Sequence, residues 1–145
     1  EAASYKLAEL IESAKKPVVL AGHSLGVNIA LYTLSHYAVT VDAALLIAGR
    51  FKTPSGDPLL DERCYSRQLY PSIIRDHILG AFVAVNSSDD TVVKPPETNL
   101  GNIASTFGAK PVLAQGQGHF DQPGSVPFLI GLLKSEILSL SLRHI

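Results

Sequence analysis

The chain contains no methionine and no tryptophan, and a single cysteine, Cys64, among its 145 residues. One thiol excludes an internal disulfide, and without companion cysteines or suitably spaced histidines it gives no zinc pattern. That usage fits a reducing compartment. Methionine is missing even from position 1, so Glu1 is not expected to be where translation began. Neither sign of charge is in excess: 12 Lys and Arg face 13 Asp and Glu, for a net charge of −1. Such a balance gives no electrostatic footprint for nucleic acid or an anionic membrane surface. Long apolar runs are absent too. None reaches the roughly 18 residues of a membrane span, and the opening EAASYKLAEL has neither the basic nor the apolar region of a signal peptide. A cytoplasmic location is therefore expected. What remains is 46% hydrophobic and 17% charged, which excludes disorder and predicts one globular domain over residues 1–145.

Apolar residues then fall into alternating patterns. Leu7, Leu10, Ile11 and Ala14 recur at helical spacing behind Ser4, read as a cap, and Pro17 to Ala21 reads as a short buried strand. Val27, Ala30, Leu31 and Leu34 form a second helical face, and the run Val41 to Ala48 is too apolar for a one-sided sheet. Residues 50–75 lose the pattern in Pro, Gly, Asp, Arg and Tyr, as expected of a long excursion, a cap or lid, with a short helix near its end. Ala81 to Val85 predicts a third strand. A helix through Leu100, Ile103 and Phe107 closes at Gly108, and Pro111 to Ala114 predicts the fourth strand. After Ser125, Pro127 opens a last helix whose apolar face is Phe128, Leu129, Leu132, Leu133 and Ile137. Short buried strands alternating with amphipathic helices imply an α/β fold, a parallel sheet with helices on both faces.

Ligands of such sheets sit beyond the carboxyl ends of the strands. Ser24 falls there, enclosed as Gly22-His23-Ser24-Leu25-Gly26 between a strand and a helix. In a G-x-S-x-G turn the serine takes a strained conformation that pushes its hydroxyl out, and the two glycines let strand and helix approach. The N–H of Leu25, at the positive end of the helix dipole, faces the oxyanion that forms when Ser24 attacks a carbonyl. Such turns also occur for purely structural reasons, so the hydroxyl needs a base and the base an orienter. Strand three runs into Asn86-Ser87-Ser88-Asp89-Asp90-Thr91-Val92-Val93, and strand four into Gly116-Gln117-Gly118-His119-Phe120. The order Ser, acid, His on successive strand-end loops is that of the α/β hydrolases.

On "GHSLG", "NSSDDTVV" and "GQGHF", from about Pro17 to the last helix, the chain resembles the retinoblastoma-binding protein 9-like serine hydrolases of the α/β-hydrolase superfamily. The resemblance implies esterase-like hydrolysis through an acyl-enzyme, with Ser24 as nucleophile, Asp90 as acid and His119 as base, and with no metal or organic cofactor. Asp90 is preferred to Asp89 because an apolar residue follows the superfamily's acid by two or three positions; Asp89 is the fallback, capping the turn. The implied substrate is a small-molecule ester, thioester or amide. No nucleic acid or membrane partner is expected, and a protein partner is left open. Only residues 1–16 precede the nucleophile strand, so an N-terminal truncation is expected, with the early strands and the loop that donates the second oxyanion N–H absent. A lost donor costs on the order of 100- to 1000-fold in rate.

The remaining polar residues carry weaker readings. His23 adjoins the nucleophile and reads as a pocket wall or as a hydrogen-bonding neighbour. His36, His77 and His144 lack metal-ligand spacing and read as surface or satisfied positions. Asp121 carries little catalytic weight, and Cys64, with no base indicated, reads as a bystander. Arg63, Tyr65, Arg67 and Tyr70 read equally as a substrate entrance or as a solvated loop. Two other functions stay open: an acyl-carrier acyltransferase, whose nucleophile region "GHSLGVNIAL" resembles, and a non-catalytic protein-binding module on a hydrolase fold.

Overall fold

The computed structural model describes residues 2–138. Four strands, β1 (Val19–His23), β2 (Ala43–Ile47), β3 (Phe82–Ser87) and β4 (Lys110–Ala114), pair in parallel in the order β1-β2-β3-β4. Val19 lies opposite Ala43, and at the far edge Ser87 lies opposite Ala114. Because spatial order follows chain order, every crossover steps the same way, and the right-handed rule places the crossover helices on one face. That face carries α1 (Ala2–Ser13), α2 (Leu25–His36), α4 (Pro71–Asp76) and α5 (Pro96–Phe107). Their Ile11, Leu31, Leu34, Ile74, Ile103 and Phe107 pack on Leu20, Ala44, Leu46 and Ala84 of the sheet. The alternate strand residues Ala43, Leu45, Ile47, Val83 and Val85 face the other way. They meet Phe120, Leu132 of α6 (Ser125–Leu132) and Ile137 of the π-helical segment Leu133–Leu138 that continues it.

Burial on both faces explains why β2 is apolar throughout: all five of its residues are buried. Each fully buried leucine contributes about 1.5–3 kcal/mol of transfer free energy. Among the described residues β1 is an edge strand paired with β2 alone, and its Ala21 and His23 are exposed. No helix among the described residues is long and apolar enough to cross a membrane.

Several boundaries differ from the sequence reading. The first strand starts at Val19 rather than Pro17, which has no N–H to give a ladder. Val18 instead donates its N–H to Asp42 Oδ2 at 2.6 Å and accepts the Asp42 N–H at 2.8 Å. Ser4 is not a cap: it lies inside α1, buried. Within residues 50–75 the expected short helix is α4, but an earlier one was not read, α3 (Pro58–Leu60), which runs into a π-helical turn, Asp61–Tyr65. Asp57 caps it, accepting from the N–H groups of Leu59 and Leu60 at 3.0 and 3.3 Å, ahead of Pro58. Gly108 closes α5 at φ 81°, the left-handed cap expected of it. Ser125 is the first residue of α6 rather than the residue before it.

Candidate active site

Ser24 joins β1 to α2 with φ 56° and ψ −119°, a conformation that costs a non-glycine residue on the order of 1–3 kcal/mol. The neighbours hold it there. Its N–H donates to Ile47 O at 2.8 Å, and its carbonyl accepts the Val27 N–H at 3.0 Å. The two glycines of the turn divide unequally, contrary to the sequence reading. A Cβ on Gly22 would sit 2.7 Å from Gly26 O, inside contact distance, whereas one on Gly26 would meet nothing within 4 Å. Close approach of strand to helix is thus the work of Gly22. Leu25 is the first residue of α2, so its N–H belongs to the set without an intrahelical acceptor and lies at the positive end of the dipole.

The three residues singled out by the sequence stand in hydrogen-bond sequence. His119 Nε2 lies 3.0 Å from Ser24 Oγ, and His119 Nδ1 lies 2.9 Å from Asp90 Oδ2. With the proton on Nδ1 donated to the carboxylate, Nε2 is free to accept from the hydroxyl. The Asp90 side chain is fully buried and that of His119 is 11% exposed. A buried carboxylate needs donors, and Asp90 has two more: its Oδ1 accepts the N–H groups of Val92 at 2.7 Å and Val93 at 3.0 Å. This turn, closed over the buried Val93, is the physical content of an acid followed by apolar residues. Asp89 has a different task. Exposed beside Asp90, it accepts from Ser87 Oγ at 2.5 Å and from the Gly118 N–H at 3.1 Å. Those two bonds, the first above all, hold its carboxyl below the usual carboxylate range.

The loop carrying His119 is braced from several sides. Gly116 and Gly118 take φ values of 74° and 55°, open to glycine at no steric cost. The Gln117 N–H donates to Ser87 Oγ at 3.1 Å, and Ser125 Oγ donates to Gln117 O at 3.3 Å. His23 donates from Nε2 to the carbonyl of His119 itself at 2.7 Å, with the two rings 5.0 Å apart. Of its two readings, the hydrogen-bonding neighbour is the one observed.

Sequence reasoning missed Arg50. Its side chain, 6% exposed, donates to Val92 O at 2.9 Å and to Pro54 O at 2.7 Å, tying the acid turn to the start of the excursion. A buried arginine after a strand gives no motif to find. The guanidinium also faces the Tyr65 ring at 6.0 Å. Burial pushes the Tyr65 phenol up against the opposing effect of Arg50. His36 and His77 are satisfied by backbone carbonyls, those of Gln68 and Leu34, each at 2.7 Å. Arg63, Cys64 and Arg67 border a cavity beside Leu25. Tyr70 and Asp121 are exposed, and His144 lies outside the described residues. Among the described residues no group of three or more His, Cys, Asp or Glu side chains is placed to hold a metal ion.

Comparison with known proteins gives one family. A family model described as serine hydrolase matches residues 4–125. No curated protein matches the chain. Among solved structures, the ydeN gene product of B. subtilis superposes with a TM-score of 0.76 at 23% identity, over 92% of this chain and 72% of that one. A YdeN-like hydrolase from Pectobacterium atrosepticum gives 0.62 at 18% identity, over 90% and 64%. The type II thioesterase BorB from the borrelidin biosynthetic cluster gives 0.64 at 16% identity, over 92% and 68%. The chain thus spans about two thirds of the length of these structures, and the shared architecture is that of the α/β hydrolases.

Proposed function

The chain belongs to the serine hydrolase family, and on that premise we propose that it cleaves a small-molecule carboxylic ester, thioester or amide in the cytoplasm, with Ser24 as nucleophile. The observation that carries the reading is the pair of hydrogen bonds made by His119, one to Ser24 Oγ and one to Asp90 Oδ2. In the first half-reaction Ser24 Oγ attacks the carbonyl carbon as His119 Nε2 takes its proton. The Leu25 N–H stabilises the oxyanion. Asp90 keeps the imidazole in the Nδ1–H tautomer and stabilises the imidazolium. Nε2 then returns the proton to the leaving oxygen, sulfur or nitrogen, and the acyl group stays on Ser24. Water, activated by the same histidine, releases the acid.

The three motifs support a finer placement near the retinoblastoma-binding protein 9-like hydrolases. The thioesterase neighbour makes thioesters one class to include in a substrate panel. Intact mass after exposure to a fluorophosphonate tests the reading: one adduct is expected on the chain and none on Ser24→Ala. Absence of labelling on the unaltered chain would overturn it. Products of an acyl-thioester reaction separate hydrolysis, which yields free acid, from transfer to a pantetheine thiol.

A further inference from the structure

A cavity of about 200 Å³ lies between one face of α2, the start of α1 and the π-helical turn of the excursion. Leu25, Asn28 and Tyr32 form one wall, and Arg63 and Arg67 stand across it. Leu25 is shared with the proposed oxyanion site, so the cavity begins one residue from Ser24. Residues of the loops carrying Asp90 and His119 do not line it. That separation has chemical meaning. The leaving group must depart on the side of His119, which protonates it, and this leaves the cavity to the acyl arm.

The arginine wall has features of an anion site. The Arg67 Nε–H donates to Arg63 O at 2.8 Å while its guanidinium lies over the Tyr32 ring at 5.0 Å, which fixes the plane of the fork and leaves its terminal N–H groups. Among the described residues neither arginine is paired with a carboxylate.

We propose that this cavity is the acyl subsite, and that it selects a short acyl chain ending in an anion, as in the half-ester or half-thioester of a dicarboxylic acid. At about 30 Å³ per water-sized group the volume holds about six or seven heavy atoms, the length of an adipoyl arm beyond its reacting carbonyl. The assignment to the acyl side rests on the reading of Ser24 as nucleophile; the anion site itself does not.

Two measurements on the full chain separate these. The first compares kcat/KM for the mono-p-nitrophenyl ester of adipic acid with that for its methyl-capped neutral counterpart. The ionic ester is expected to be favoured about tenfold or more, as for a charge-assisted hydrogen bond. In Arg67→Met, which keeps an unbranched side chain and removes the charge, the preference should fall toward unity, and Arg67→Lys should restore part of it. The second follows thermal unfolding with adipate, which should raise the midpoint of the unaltered chain and not that of the Arg63→Met/Arg67→Met double variant. Fluorophosphonate labelling with equal turnover of both esters and no adipate shift would overturn the subsite while the hydrolase reading stands. No labelling, with an adipate shift lost in the double variant, would overturn the hydrolase reading and support the anion site.

Discussion

At the scale of single residues, the adjacent carboxylates Asp89 and Asp90 sort by environment. Asp90 is buried with three donors, one of them His119, and Asp89 is exposed with two, neither of them His119. Asp90→Asn should lower kcat by on the order of 10⁴, because an amide in that place favours the wrong imidazole tautomer. Asp89→Asn should slow turnover far less, by about tenfold or under, since it removes a brace on the loop at Gly118 and leaves the relay intact. A side-by-side esterase assay of the two variants decides this. The pair should also differ on acid titration. The Asp89 carboxyl is held below its ordinary value in the folded chain, so its contribution to stability is present above the ordinary carboxylate range. It is lost as pH falls through the folded value. Unfolding midpoints followed toward low pH should therefore decline less steeply in Asp89→Asn than in the unaltered chain. The preference for Asp90 was legible from Val92 and Val93 following it. The task of Asp89 was only half legible, because its partner Gly118 lies 29 residues away.

At the scale of elements, the turn between β1 and α2 has one tight point. Gly22→Ala places a methyl 2.7 Å from the Gly26 carbonyl and must push strand and helix apart, carrying Ser24 with them. The expected result is a loss of about 1–3 kcal/mol of stability together with most of the probe labelling. Gly26→Ala, with open space at its Cβ, should leave labelling near that of the unaltered chain. Denaturant titration and labelling of both variants check the contrast. The G-x-S-x-G pattern suggested equal tasks for the two glycines, and only the closeness of backbones, which no spacing encodes, separates them. β1 was readable to within two residues at each end and α5 at its C-terminal end, where Gly108 closes it, whereas α5 begins at Pro96, four residues ahead of Leu100, the first apolar residue of its pattern. The turn at Asp57–Tyr65 was missed because its cap, Asp57-Pro58, sits among other Pro and Gly residues that read as loop.

At the scale of the whole molecule, the alternation of strands and helices was enough to predict the parallel sheet and the carboxyl-end location of Ser24, Asp90 and His119. What could not be read was which polar side chains hold those loops to one another. Arg50 and Ser87 bond to backbone groups 42 and 30 residues away, and a pairing of that kind leaves no local pattern. The excursion likewise showed its composition but not that its arginines face α2 across a cavity.

Spatial order in the sheet follows chain order, so among the described residues the strand that leads to Ser24 and the strand that leads to His119 are its opposite edges. Three inter-strand steps of about 4.8 Å separate them, and the bond between His119 and Ser24 joins residues 95 apart in sequence. The contact between Ser24 and His119 thus forms only when β4 docks. A folding intermediate lacking β4 can hold Ser24 in its turn without His119 beside it. Reactivity toward a fluorophosphonate then becomes a clock for the final step of assembly. In a refolding time course, labelling competence should lag the recovery of helical signal, and a simultaneous return of both would show that the sheet closes in one step.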